Sequence, residues 1–535
     1  MKNIIYKIGK LALACPLLWG VCACDDWFTL TPDTAMVAQD FWKDKKDVEA
    51  AMGACYRSML EGGFMERLIA WGEVRSDNVV PLSPDQNTSD LLNLNIKAAN
   101  GYTSWGDFYK TINYCNALIQ NAPEVQTKDP DFSDADLMSY LAEAKTVRAF
   151  CYFVLVRTFG DVPYITEPYL DDTRDYLVAQ TDRDEILRLL LEDLKTVEGR
   201  APVLFEDNDP YTKARVTQKT LWTLMADMYL WLNDYDNCIT YCDKVLDSNE
   251  NPLHLVEMNN YFNIVFYNGY SDETLWELPF DANTNNNAVA DFYGTSTSST
   301  SRLMTYDLGA LFINKQDLRY IGSYFMDSGK GLIYKYVAYR NTTVLSPVNK
   351  NDFQVGDSHL RHWILYRLAD VYLMKAEALA YKGGAVELDE AVDLVSKTYD
   401  RANPSLAAGS LKGQYKSQSE IIDLVLLERQ REFLFEGKRY FDLLRRLRRS
   451  GDLTDIINNY LANRYKAMTT MQESVYKSKL SDIEAFYLPI NQDELKLNTL
   501  LKQNRFYMTS SDISKINDKS LYISFSVTFP SEFKI

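Results

Sequence analysis

Apolar residues return every three or four positions through most long stretches of the chain, and Ser, Thr, Asp, Gly or Pro bound these stretches. That period gathers apolar side chains on one face of an α-helix. It predicts helices over 45–60, 105–121, 134–159, 183–197, 217–232, 235–247, 363–382, 388–401 and 419–448. The polar gaps are of two kinds, short turns and two long loops. One loop, 77–104, follows Trp71; the other, 281–302, is rich in Asn, Ser, Thr and Ala with Phe292 and Tyr293 in its middle. Strand signals are confined to 332–339, which has strand propensity, and to 522–529, where Ile523, Phe525, Val527 and Phe529 alternate with Ser524, Ser526 and Thr528.

The helices recur in pairs. Residues 217–247 read as a helix carrying small Ala226, a short turn and a second helix; 363–401 repeats this through Ala376 and Ala378, the turn Gly383-Gly384 and Ala391. A unit of about 34 residues with small residues at the contact is the tetratricopeptide pattern, in which helix pairs stack into a curved array. The fold predicted is mainly α: a tetratricopeptide-like helix-pair superhelix with a loop-rich insertion and minor β elements.

Composition narrows the chemistry. The 535 residues carry a net charge of −17, which argues against nucleic acid as a partner. Three histidines, His254, His359 and His362, leave a metal enzyme to be built from carboxylates. His359 and His362 are three apart but lack an evident further ligand. At the N-terminus, Lys2, Lys7 and Lys10 precede the apolar run 11–23, which is short for a span of about 20 residues and reads as a processed leader. Cys15, Cys22 and Cys24 fall in this region, and the remaining five cysteines, 55, 115, 151, 238 and 242, sit in helical segments as small apolar residues. No phosphate-binding loop, dinucleotide fingerprint or nucleophile elbow occurs in a suitable setting.

Several residue groups are candidates for function. Arg75, Asp77 and Asn78 open the first loop beside Trp71 and combine donors and acceptors near a ring, which is what a hydroxyl-rich ligand requires. Tyr102, Phe292 and Tyr293 are rings in polar surroundings, suited to stack on sugar faces. On that reading Tyr293→Ala is expected to weaken ligand capture and leave the melting temperature unchanged. The stripe Glu428, Glu432, Glu436, Arg439, Asp442 and Arg446 reads as ion pairs clamping one helix to its neighbours; a glycosidase pair requires two different environments. Arg445, Arg446, Arg448 and Arg449 read as a solvated helix end.

Seven blocks in order resemble the SusD/RagB family of outer-membrane lipoproteins: CDDWFTLTPDT at 24–34, WGEVRSDNV at 71–79, SWGDFYKTINYCNALIQNAP at 104–123, EAKTVRAFCYFVLVRTFGDVP at 143–163, LYRLADVYLMKAEAL at 365–379, LERQREFLFEGKRYFDLLRR at 427–446 and FYLPINQDELKLNTLLKQN at 486–504. The segment after Tyr507 departs from the family's ending. The resemblance implies a leader over 1–23 and an acylated Cys24 that anchors the protein to the outer membrane, with Asp25 and Asp26 as a surface-export signal. It implies an N-terminal helical region over 24–270 and a C-terminal region over 271–535, the latter with a loop-rich part at 281–360 and helices over 363–449. It also implies a non-catalytic protein without cofactors or metal, which binds an oligosaccharide or another nutrient and passes it to a SusC-like TonB-dependent transporter. Ligand-binding residues on this reading are Arg75, Asp77, Asn78, Tyr102, Phe292 and Tyr293. The alternatives are a surface glycoside hydrolase and a peptide-binding importer of the same family.

Overall fold

A computed structural model describes residues 41–170, 176–205, 209–294, 301–312, 314–340, 353–461 and 470–508. The long helices are α1 (Lys45–Met59), α2 (Gly62–Ile69), α3 (Gly106–Lys128), α4 (Asp134–Phe159), α5 (Arg183–Lys195), α6 (Gln218–Trp231), α7 (Tyr235–Asp247), α8 (Leu368–Lys382), α9 (Ala385–Ala402), α10 (Gln418–Glu432) and α11 (Arg439–Ser450). Their starts are chemically marked. Asp44 and Ser133 close capping boxes with Asp47 and Asp136, and Thr217 and Asp234 accept from the Thr220 and Asn237 amides, satisfying first-turn N–H groups that lack intrahelical partners.

Packing pairs α3 with α4, α6 with α7, and α8 with α9. The α8–α9 turn is Gly383-Gly384, both at positive φ (75° and 96°), where a Cβ would strain the backbone. Ala226, Ala376, Ala378 and Ala391 are buried at helix contacts, as the paired pattern predicts. One continuous apolar core runs from Val48 to Ile490 and joins elements on both sides of residue 270, while a second cluster lies among α8, α9 and α10. Cys55, Cys115, Cys151, Cys238 and Cys242 are buried and free within it.

Four expectations change. Residues 363–367 are not helix: strand Trp363–Arg367 pairs antiparallel with Thr274–Leu278, with all ten positions buried, so tertiary pairing overrides helical spacing. The stretch 419–448 is not one helix. It breaks at Phe433–Lys438, where Phe435 (φ 64°) and Gly437 (φ 70°) turn the chain left-handed. Helix α3 runs through Pro123 to Lys128 because Ala122 and Val125, on either side of the proline, are both buried. Within 332–339 only Leu332, Ile333 and the end of the stretch are extended, in strands Lys330–Ile333 and Ala338–Arg340. The alternating run 522–529 and Cys24 lie outside the described residues.

Candidate functional site

Residues 71–78 form a buried crosspiece. A π-helical turn, Ala70–Val74, continues α2 and carries Glu73 inward, where it is wholly buried. Its carboxylate accepts from Asn78 Nδ2 (2.8 Å), Ser76 Oγ (3.2 Å) and the Gly437 amide (3.0 Å), with no cation against it. Burial pushes this carboxyl from the ordinary 4.5 up to about 7. Asp77 is gripped by the Arg439 guanidinium at 2.7 and 2.8 Å, and Gln430 donates to both Asp77 and Asn78. Arg75 donates to the Phe486 carbonyl (2.9 Å) and lies 4.1 Å over the Tyr440 ring. Arg75, Asp77 and Asn78 are at most 1% exposed. They are therefore corrected from ligand contacts to the cement between α2, α10 and α11, since a ligand in solution cannot reach side chains with no accessible surface.

A pH prediction follows from Glu73. Its folded-state value stands above the unfolded one, so the stabilisation from its proton is complete below about pH 4.5 and is lost as pH rises through about 7. The size is about 3 kcal/mol at 1.36 kcal/mol per unit. Glu73→Gln is expected to flatten that fall, which thermal melts from pH 4 to 8 will read; an unchanged slope would mean that Glu73 is not the titrating group.

The rings predicted as platforms are also in the core. Phe292 and Tyr293 end the short helix Asn287–Tyr293 and are 0% exposed; Tyr102 is 4% exposed. The polar sequence around them misled because Asn286 caps that helix and turns both rings inward. The two polar loops nevertheless meet. Arg302 donates to the Tyr102 hydroxyl (2.7 Å), lies 5.0 Å over Phe292 and pairs with Asp85 and Asp291 at 3.2 Å each. Tyr102 and Phe292 are thus the floor beneath a half-exposed ionic lattice. Tyr293→Ala now belongs with core truncations, and the expectation of an unchanged melting temperature is withdrawn.

The charged stripe does what its spacing suggested, across two helices instead of one. Glu428, Glu432 and Glu436 are fully buried and face Arg319, Arg367, Arg401 and Lys335 from other elements. The arginine knot is not a solvated end: Arg445 is 2% exposed and bridges Glu377 and Asp442, Arg449 also takes Glu377, Arg446 takes Asp423 and Asp455, and Arg448 takes Asp184. Helix α11 closes against four neighbouring carboxylate groups, which the one-dimensional cluster of positive charge did not reveal. His362 Nδ1 meets Glu277 at 2.7 Å and His359 Nδ1 meets Asn287 at 3.1 Å, so the two rings serve different contacts.

The open site lies elsewhere. A cleft of about 370 Å³ has Trp105, Tyr109 and Ile112 as its floor, Pro163, Ile165, Tyr169, Tyr176 and Val178 as one wall and Glu494, Leu497, Asn498 and Leu501 as the other. Its first wall is pinned by polar groups. The Tyr109 hydroxyl donates to the Pro163 carbonyl (2.6 Å), Tyr152 both gives to and takes from Ile165, Asn113 does the same with Tyr169, and Asn116 and Asn498 donate to Ile165 and Val178. These bonds turn apolar surface outward: Tyr169 and Tyr176 stack at 4.8 Å and 20°, Tyr176 is 50% exposed, and Leu497 on the opposite wall is 77% exposed. Glu494 is the carboxyl of the cleft, and partial burial pushes it up. Sequence reasoning missed this site because its walls come from segments more than 300 residues apart; the signal available was a Tyr, Ile and Leu content unusual for a loop.

Comparison with known proteins adds family information to this geometry. Residues 314–507 match the description SusD family, and residues 26–230 match Starch-binding associating with outer membrane. A SusD-like protein of Formosa agariphila is 25% identical over 79% of this chain and 88% of its own. A SusD homolog from Bacteroides thetaiotaomicron superposes with a TM-score of 0.71 at 17% identity, covering 88% of this chain and 98% of the other. A laminarin binding SusD-like protein superposes with a TM-score of 0.64 at 21% identity, covering 86% and 99%. The likeness in fold covers most of the chain.

Proposed function

This chain belongs to the SusD/RagB family, and on that premise we propose that it captures an oligosaccharide at the outer membrane without cleaving it and delivers it to a SusC-like TonB-dependent transporter. Acylated Cys24 is the anchor on this reading. The observation that carries it is the Tyr169–Tyr176 stack, with Tyr176 half in water, in an open cleft floored by Trp105 and Tyr109. Aromatic faces accept the C–H faces of sugar rings, and an open cleft admits a chain longer than one residue. Support for the glycan class comes from the starch-binding description of the N-terminal match and from the laminarin-binding neighbour. No described helix is long and apolar enough to cross a membrane, which fits attachment through lipid. The buried carboxylates are held by arginines away from the cleft, consistent with capture and not hydrolysis.

Calorimetric titration with laminarin and starch oligosaccharides, followed by product analysis, tests the proposal. Tyr176→Ala is expected to weaken binding about tenfold, roughly 1.4 kcal/mol, while the melting temperature stays put because half of the side chain is already in water. Cleavage of the oligosaccharide, or binding indifferent to Tyr176, would refute it.

A further inference from the structure

A small polar cavity of about 60 Å³ lies among α4, α6, α8, α10 and α11, with Arg157, Asp227, Asp370, Arg429, Asp442 and Arg445 in its wall. One water-sized sphere needs about 10–15 Å³, so there is room for an ion of atomic size. We propose that this cavity binds a small monovalent anion, chloride in ordinary salt, between Arg157 and Arg429, and that the ion completes the charge balance of the clamp that closes α11 on its neighbours.

Positive charge exceeds negative around this cavity. Asp442 accepts from Arg429 (3.0 and 2.8 Å) and Arg445 (2.8 Å), Glu377 takes Arg445 and Arg449, Asp370 takes Lys438, and Asp227 stands 3.5 Å from Arg157. Five cations therefore share four carboxylates. Glu436, the remaining acid of the wall, is not spare: it belongs to the adjoining network in which Arg319, Lys335, Arg367, Arg401 and Arg431 meet Glu273, Asp317, Glu428, Glu432 and Glu436 in equal number. Glu73, bonded to the Gly437 amide, is pushed up to about 7 by burial and is neutral below that, so it does not supply the missing charge. The hydrogen bonds show the same deficit. Arg157 Nε and Arg429 Nη1 meet no acceptor in the protein, although the two residues are only 9% and 4% exposed, and Arg157 otherwise rests on the faces of Phe153 and Phe441. A water would satisfy these N–H groups and leave the charge; an anion supplies both. Helix α11 adds to the field, since it starts here at Lys438 without a side-chain cap, with Gly437, Lys438 and Phe441 in the wall.

The energetic consequence has a definite sign. An ion that binds only the folded chain raises stability as its concentration rises, whereas general screening weakens exposed ion pairs. A cavity of about 60 Å³ also selects by size, admitting a halide and excluding gluconate. The site belongs to the scaffold and depends neither on the aromatic cleft nor on the sugar proposed to occupy it.

Thermal melts of the full chain at pH 6, in sodium chloride and in sodium gluconate at equal ionic strength, test the proposal, together with anomalous diffraction from crystals grown in sodium bromide. Expected are a melting temperature a few degrees higher in chloride, rising with its concentration to a plateau, and a bromide peak within hydrogen-bond reach of Arg157 and Arg429. Arg157→Met leaves four cations on four carboxylates and is expected to abolish the difference between the two salts. Equal wild-type melts in both salts, or a cavity that holds only water in the bromide crystals, overturn the proposal. A bromide peak without any stabilisation marks an adventitious ion only and overturns it as well. A folded Arg157→Met protein that keeps the whole chloride effect moves the anion away from this cavity; should that variant not fold, the wild-type melts and the bromide peak decide by themselves.

Discussion

Glu432→Ala is expected to lower the free energy of unfolding by about 3–5 kcal/mol, a large fraction of the about 5–15 kcal/mol that holds a domain folded. Glu432 is wholly buried and accepts from Arg319 Nη1 (2.8 Å), Arg367 Nη1 (2.7 Å), Arg401 and the Tyr261 hydroxyl (3.2 Å). Deleting it leaves three guanidinium groups facing each other in a buried site with one carboxylate fewer among them; among the described residues Arg367 retains Glu273 and Glu436, Arg319 retains Asp317 and Glu428, and Arg401 retains Glu273. The cost is that of uncompensated buried charge. The arginines also hold Glu432 well below the usual carboxylate range, and Arg367 and Lys335 hold Glu436 down at about 2 despite burial. Both folded-state values lie below the unfolded ones. Their contribution is therefore complete above about pH 4.5 and is lost as pH falls towards 2. Chemical denaturation at pH 7 and pH 3 checks both statements: the wild type should lose stability on acidification, and the variant should lose less because it has one depressed group fewer. A penalty below about 1 kcal/mol at pH 7, the range of surface pairs, would mean that water enters the network.

Gly72→Ala is expected to be at least as damaging, with a loss above about 3 kcal/mol or failure to fold. A Cβ on Gly72 would stand 1.8 Å from the Gly437 carbonyl oxygen and 2.6 Å from its carbon, and neither backbone atom is free to swing away. Gly437 is itself fixed: its amide donates to Glu73 and its φ of 70° makes the turn between α10 and α11. The π-helical turn that carries Gly72 therefore touches, backbone to backbone, the break that separates the two halves of the charged stripe. Gly53→Ala is the control. In exposed α1, with nothing within 4 Å of the added carbon, it is expected to stabilise by about 0.5–1 kcal/mol. Thermal melts of the two variants should move in opposite directions, and similar melts would show that the close approach relaxes.

The fate of the sequence-derived ligand residues follows from the same contacts. Arg75, Asp77 and Asn78 have the composition of a sugar site, and the fold uses it inside the protein: Asp77 meets Arg439 from 362 positions away and Asn78 meets Gln430 from 352 away. Such partners are invisible to a local window. Phe292 and Tyr293 show the converse, rings in a polar neighbourhood whose helix cap turns them inward. The two polar loops meet at Arg302, a contact that loop polarity did not predict, and polarity did not tell which side chains face water.

From its residues alone this chain specified helices α4 and α7 to the residue, the Gly383-Gly384 turn, the small-residue helix contacts, and a SusD/RagB scaffold marked by seven blocks in order. These are local properties: periodicity, caps and turn residues act within a few positions. Tertiary structure alone decided that 363–367 would be strand, that 419–448 would break at Gly437, that the arginine cluster would be paired with carboxylates, and that an aromatic cleft would form where 105–116, 163–169, 176–178 and 494–501 converge. Each of these depends on a partner far away in the chain. Exposure is a property of the assembled surface, and no spacing of residues along the chain encodes it.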